Sequence, residues 1–180
     1  MPTCILFFRG INVGGRTRLP MEQLVEMLNA IGIPGAVTYI QSGNVAVRCS
    51  RQQAASLGRR LKEVMRERLD FEPAVVVLKI QEVEHAIAAN PFREGARDPK
   101  TLHLWFLASE PADPDLEGLD RLKLPSERFV LDKKVFYLHA PDGIGQSRLA
   151  SGVEKCLGVE ATARNWRTVT KTLEMAWQLS

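Results

Sequence analysis

Residues 3 to 8 (TCILFF) form an apolar run that stops at Arg9-Gly10, the pattern of a buried strand followed by a turn-rich loop. From Pro20 the spacing becomes helical. Met21, Leu24, Val25, Leu28 and Ile31 share one face, with Pro at the first turn and Gly32 just past the end. β-branched residues at 36 to 40 and 44 to 49 flank Gln41-Ser42-Gly43-Asn44, where Ser42-Gly43 suits the two-residue turn of a hairpin. Ser50 and Gln53 match a capping box that opens a helix running to about Asp70, with Leu57, Leu61, Val64 and Leu69 along one side. The strand AVVVLK follows at 74 to 79.

That order, β-α-β-β-α-β, is the split βαβ plan of ferredoxin-like domains. It then recurs. A short helix at 81 to 89 and the connector NPFREGARDPK at 90 to 100 lead to the strand TLHLWFLA and a helix near 113 to 121, started by Asp113-Pro114. Strands at 127 to 132 and 135 to 139 follow. A helix from about Ser147 to Leu157 stops at Gly158, a weak last strand lies near 159 to 163, and a closing helix spans 166 to 179. The expected fold class is therefore α+β, with two ferredoxin-like (split βαβ) halves packed together and a C-terminal helix. Its expected division is 1–80, a connector at 81–100, and 101–180 with the closing helix. CILFF, AVVVL and LWFL lack the alternation of a half-wet sheet, so both sheet faces should be covered. Within one half the 41–44 turn is expected at the opposite end of the sheet from the loop after the first strand, so that the two share no pocket.

Composition narrows the classes. With 180 residues, 45% hydrophobic and 25% charged, the chain is an ordinary globular sequence, which excludes disorder and disulfide scaffolds. Cys4, Cys49 and Cys156 have no CxxC spacing and sit in apolar stretches, so they read as small core hydrophobes in a reducing compartment. The N-terminus lacks a signal pattern and no run of 18 apolar residues occurs, so the chain is expected in the cytoplasm, off the membrane. The net charge of +3 is unevenly placed: residues 1 to 80 hold 11 basic and 6 acidic side chains, and residues 81 to 180 hold 13 and 15. From Met27 to Lys62 there is no acid.

Gly10-Ile11-Asn12-Val13-Gly14-Gly15-Arg16-Thr17 departs by one residue from the phosphate-binding loop G-x-x-x-x-G-K-[ST], with Arg16 at the lysine. Arginine does not replace that lysine's compact charge, and the neighbouring topology is not a parallel nucleotide-binding sheet. What survives is more general. Glycines that admit close backbone approach, and Arg9, Arg16 and Arg18 with no acid before Glu22, suit a phosphate or carboxylate. A second cluster lies at Arg164-Asn165-Trp166-Arg167-Thr168, where Asn165 is a helix N-cap candidate and Lys171 follows one turn after Arg167. His85, His103 and His139 lack metal spacing and read as satisfied or surface histidines, and Trp105, Trp166 and Trp177 as core or interface anchors. NVAVRC at 44 to 49 lacks the aromatic pattern of RNA-recognition strands.

With FFRGINVGG at 7 to 15, TYIQSGNV at 38 to 45, Asn90-Pro91-Phe92 and TARNWRTVTKTLEM at 162 to 175, the chain resembles domain of unknown function family 1697 over essentially its whole length. The resemblance implies a bacterial-type α/β protein of two ferredoxin-like halves and no known activity. Its motif positions are Arg9, Asn12, Gly14, Gly15, Gln41, Ser42, Gly43, Asn44, Arg164, Asn165, Trp166 and Thr168, and Arg16-Thr17 departs from the usual Lys-Asn pair.

No catalytic constellation, cofactor motif or metal site emerges, and nothing sets the oligomeric state. The reading is a protein that binds a small anionic ligand through Arg9, Asn12, Gly14, Gly15, Arg16, Gln41, Ser42, Asn44, Arg164, Asn165 and Lys171. The alternative is a nucleic-acid or protein-partner module on the basic surface of residues 27–62, through Arg48, Arg51, Arg59, Arg60 and Lys62.

Overall fold

The computed structural model describes residues 2–13, 15 and 17–179. The first strand, β1 (Thr3–Arg9), is buried on six of its seven residues. Its apolar run is long enough to need cover on both sheet faces. Helix α1 (Met21–Ala30) starts beside Pro20 and ends where Gly32 turns left-handed. Strands β2 (Val37–Tyr39) and β3 (Asn44–Arg48) form the hairpin, and α2 (Arg51–Arg68) opens on Ser50. There both arms of the capping box are present: Gln53 N–H donates to Ser50 Oγ at 3.1 Å, and Ser50 N–H donates to Gln53 Oε1 at 2.7 Å. Strand β4 (Ala74–Lys79) completes a sheet ordered β2-β3-β1-β4, and α3 (Ile80–Ala88) follows directly.

The second pass repeats the plan. Strand β5 (Leu102–Leu107), α4 (Leu116–Leu122), β6 (Arg128–Asp132), β7 (Val135–His139), α5 (Arg148–Leu157) and β8 (Ala161–Asn165) give the sheet order β6-β7-β5-β8, and α6 (Trp166–Leu179) ends the described chain. The fold is mixed α+β with two four-stranded antiparallel sheets of matching topology. Helix α4 begins later than expected, because Asp115 rather than Asp113 supplies the cap, accepting from Gly118 N–H at 2.7 Å. The weak last strand is real but shifted to 161–165, where it pairs with β5 from His103 to Leu107.

Two compact units result: Met1–Ile87 with Thr170–Ser180, and Ala88–Val169. The division expected at 80 and 100 is displaced, and the last helix does not simply close the second half. All but its first four residues group with the first unit. The reason is local bonding: Trp177 Nε1 donates to Glu84 Oε1 at 2.7 Å, and the Arg48 side chain donates to the Leu179 carbonyl.

In the first unit Cys4, Leu6 and Phe8 face α1 and α2 with Leu24, Leu28, Leu57 and Leu61, all buried. Ile5, Phe7 and Ala46 on the opposite sheet face are fully buried too, so the missing alternation did report covered faces. In the second unit Trp105, Leu107, Phe136 and Leu138 pack with Leu119, Leu149, Val153 and Leu157 of α4 and α5. Gly158 ends α5 at φ 67°, a left-handed C-cap that glycine adopts without a Cβ penalty.

One expectation about histidine fails here. His139 has a partner and His85 is exposed, but His103 on β5 has a buried Nδ1 without a hydrogen-bond partner. Burial pushes its imidazole down to about 4, from an ordinary 6.5. Between pH 6.5 and 4 the unfolded chain binds a proton that the folded chain refuses, so stability falls as pH falls through that window and levels off below it. The loss is on the order of 3 kcal/mol. In urea titrations at pH 7 and pH 4.5, His103→Leu should lose clearly less stability than the parent chain; an equal loss in both would remove His103 as the cause.

Candidate functional site

The antiparallel register of β1 on β3 pairs Phe7 with Asn44 and Thr3 with Arg48. The end of β1 therefore lies beside the start of β3, and the loop after β1 and the β2-β3 turn sit at the same end of the sheet. This corrects the expectation that they occupy opposite ends: two strands that run oppositely place one's exit beside the other's entry. The turn is also longer than expected. Tyr39 pairs with Asn44, so Ile40, Gln41, Ser42 and Gly43 form a four-residue connection.

Asn12 joins the two loops. Its Nδ2 donates to the Leu19 carbonyl at 2.8 Å and to the Gln41 carbonyl at 2.5 Å, and its Oδ1 accepts from Leu19 N–H at 2.8 Å. Its own N–H reaches the Thr17 carbonyl at 2.8 Å, and Thr17 Oγ1 donates to the Gly10 carbonyl at 2.5 Å. The loop is thus closed on itself and stitched to the hairpin through one side chain. On the hairpin, buried Asn44 donates through Nδ2 to the Tyr39 carbonyl and to Ser42 Oγ, both at 3.0 Å. Phe8 N–H donates to the Gly43 carbonyl at 2.9 Å.

Gly43 is required twice over. Its φ is 73°, and a Cβ there would lie 2.6 Å from both Phe8 Cβ and Ile11 Cδ1. Asn12 (φ 55°) and Ile40 (φ 49°) are also left-handed. For exposed, β-branched Ile40 this is a strained state that the flanking bonds hold in place.

Around this framework stand the exposed arginines Arg9 and Arg18, exposed Gly15 and Gln41, and half-buried Ser42. Gly14 and Arg16 lie outside the described residues. Lys171 belongs to the same unit: its Nζ pairs with Glu174 at 2.7 Å, which with the nearby Tyr39 raises its pKa. Sequence reasoning did not single out Val13 and Ile40, which expose 67% and 52% of their surface on these two loops and add an apolar element to the rim.

The remaining site residues lie in the second unit. Arg164 on β8 donates through Nη1 to Thr162 Oγ1 at 3.0 Å and to the Ala163 carbonyl at 2.8 Å, and burial pushes its guanidinium down to about 10, still charged at neutral pH. Asn165 caps α6, its Oδ1 accepting from Thr168 N–H at 2.9 Å. Asn90-Pro91-Phe92 is a turn in which Asn90 Oδ1 accepts from Phe92 N–H at 2.9 Å. Phe92 then stacks on His139, and the Arg128 guanidinium lies 5.2 Å above its ring while also pairing with Glu94. Among the described residues no cluster of three His, Cys, Asp or Glu could hold a metal, and no helix is long and apolar enough to cross a membrane.

These features define a class: an α+β protein with two split-βαβ sheets and an asparagine-clamped glycine loop at the end of the first. Its motifs sit in loops and caps. The chain belongs to the family described as protein of unknown function (DUF1697), whose model matches residues 1–137. That match ends within β7, short of the 162–175 motif. The conserved bacterial protein SP0830 from Streptococcus pneumoniae shares the fold, with a TM-score of 0.69 and 21% identity over 97% of this chain and 98% of that one. No curated protein matches.

Asn12→Ala removes the two Asn12 side-chain amide donations and the acceptor for Leu19 N–H, and should destabilise the chain by about 2–4 kcal/mol in chemical denaturation. Gly43→Ala should cost at least as much, since a left-handed φ and two close contacts oppose the new methyl. A loss below about 0.5 kcal/mol in either variant would contradict the clamp.

Proposed function

We propose that the chain binds a small anionic ligand, phosphate- or carboxylate-bearing, at the paired loops that end the first sheet. The observation carrying this reading is the Asn12-to-Gln41 bond, which joins the glycine loop and the hairpin turn, the two segments that carry exposed Arg9, Gly15, Arg18 and Gln41 and half-buried Ser42. Asn12 and Asn44 act there as framework, because their side-chain amides are engaged with backbone and Ser42. Gly10, Asn12, Gly15 and Gly43 on these loops are left-handed, the backbone conformation from which anion-binding turns are built. We take both halves as ferredoxin-like on their split βαβ topology, and place the chain in the cytoplasm on its three free cysteines.

The alternative basic surface has less support. Arg59 pairs with Glu63 at 3.0 Å, Arg60 is turned onto the Ile31 carbonyl at 2.7 Å, and Arg48 onto the Leu179 carbonyl. Of its five cations, Arg51 and Lys62 are left to meet a polyanion, too few for a strongly salt-dependent interface.

Thermal shift with inorganic phosphate, nucleoside monophosphates and small dicarboxylates tests the proposal. One of these probes at 100 times its Kd should add about 2.7 kcal/mol of stability. Arg18→Ala should weaken that response about tenfold or more in Kd while the unliganded melting temperature stays near that of the parent, and Arg9→Ala should weaken it as well. Absence of any response, or a response untouched by both variants, would overturn it.

A further inference from the structure

At the other end of the same sheet two thiols meet. Cys4 lies near the start of β1, and Cys49 follows β3, two residues beyond Val47, the cross-strand partner of Cys4. The period of two in a strand puts both on the face that packs against α1 and α2. Their Sγ atoms are 2.8 Å apart, with 1% and 0% of the residues exposed. Cys4 also lines a cavity of about 600 Å³, with Arg51 and Ala55 of α2, Val77 and Lys79 of β4, and Glu82 of α3 among its walls. Cys4 is thus the member of the pair that borders this cavity, with almost none of its own surface open to solvent.

We propose that Cys4 and Cys49 are a reversible oxidation site, forming an internal disulfide when a peroxide enters this cavity. Cys4 Sγ, as thiolate, attacks one peroxide oxygen; the O–O bond breaks, the departing hydroxide takes up a proton, and Cys4 becomes a sulfenic acid. Cys49 Sγ then attacks the Cys4 sulfur, and the sulfenic hydroxyl leaves as water with the Cys49 proton. Two thiols are oxidised, one peroxide is reduced to two waters, and a dithiol reductant reverses the bond by exchange. Closing it requires the sulfurs to approach from 2.8 Å to about 2.05 Å. Burial pushes the Cys4 thiol up to about 12, with smaller contributions from Cys49 and Glu82, while Lys79 opposes. The thiolate is thus scarce at neutral pH, and oxidation is slow and favoured by alkaline conditions. The bond would tie together the two ends of a segment that holds the glycine loop, α1 and the hairpin.

The test treats the full chain with hydrogen peroxide, then unfolds it and alkylates with N-ethylmaleimide. Of the three cysteines, one should label after oxidation and three after reduction, with a Cys4–Cys49 linked peptide in the mass spectrum and a higher melting temperature that dithiothreitol abolishes. Cys156→Ser should keep the linked peptide, and Cys49→Ser should lose both it and the rise in melting temperature. Three labelled cysteines after peroxide treatment, a link to Cys156, or oxidation of Cys4 without cross-linking would overturn the proposal.

Discussion

Strand β1 is buried along nearly its whole length, so every backbone N–H and C=O it carries must find a protein partner. It does so by running antiparallel between β3 and β4, and the bond from Phe8 N–H to the Gly43 carbonyl closes the β3 side. From that pairing follow the placement of the hairpin beside the glycine loop, the need for glycine at 43, and the reach of Asn12 across to Gln41. At the other end of the same ladder it sets Cys4 against Cys49. The second sheet repeats the arrangement, Leu107 N–H donating to the Lys134 carbonyl of its own two-residue turn.

The motif residues divide by what their side chains touch. Asn12, Asn44, Asn90 and Asn165 each satisfy backbone groups at a turn or cap, the work a short amide does well. Replacing them would disturb shape before chemistry. Arg9 and Arg18 differ in placement, both being exposed residues that flank the loop after β1. Exposed Val13 and left-handed Ile40 put apolar side chains on the same two loops.

Most of the first unit's elements were legible because each carries its own local signal. The capping box at Ser50, the helical spacing of Met21 to Leu28, and the apolar run of β1 act within a few residues and need no distant partner. The start of α4 was misplaced because Asp113-Pro114 and Asp115 both resemble caps, and only the bond to Gly118 N–H chooses between them. His103 read as an ordinary histidine because the loss of an imidazole's partner leaves no trace in neighbouring residues. Of the candidate site, sequence supplied the residue names but reversed the relation between its two loops, an error about strand direction rather than about any residue.

By itself the sequence determined the element order, the repeated split βαβ plan, the covered sheets and the concentration of positive charge in the first half. Those properties follow from short-range periodicity and residue type. Tertiary structure alone decided that Asn12 clamps two loops 29 residues apart, that most of α6 joins the first unit, and that two cysteines 45 residues apart touch. Strand register makes these contacts, and register depends on how every buried backbone group in β1 is paired at once.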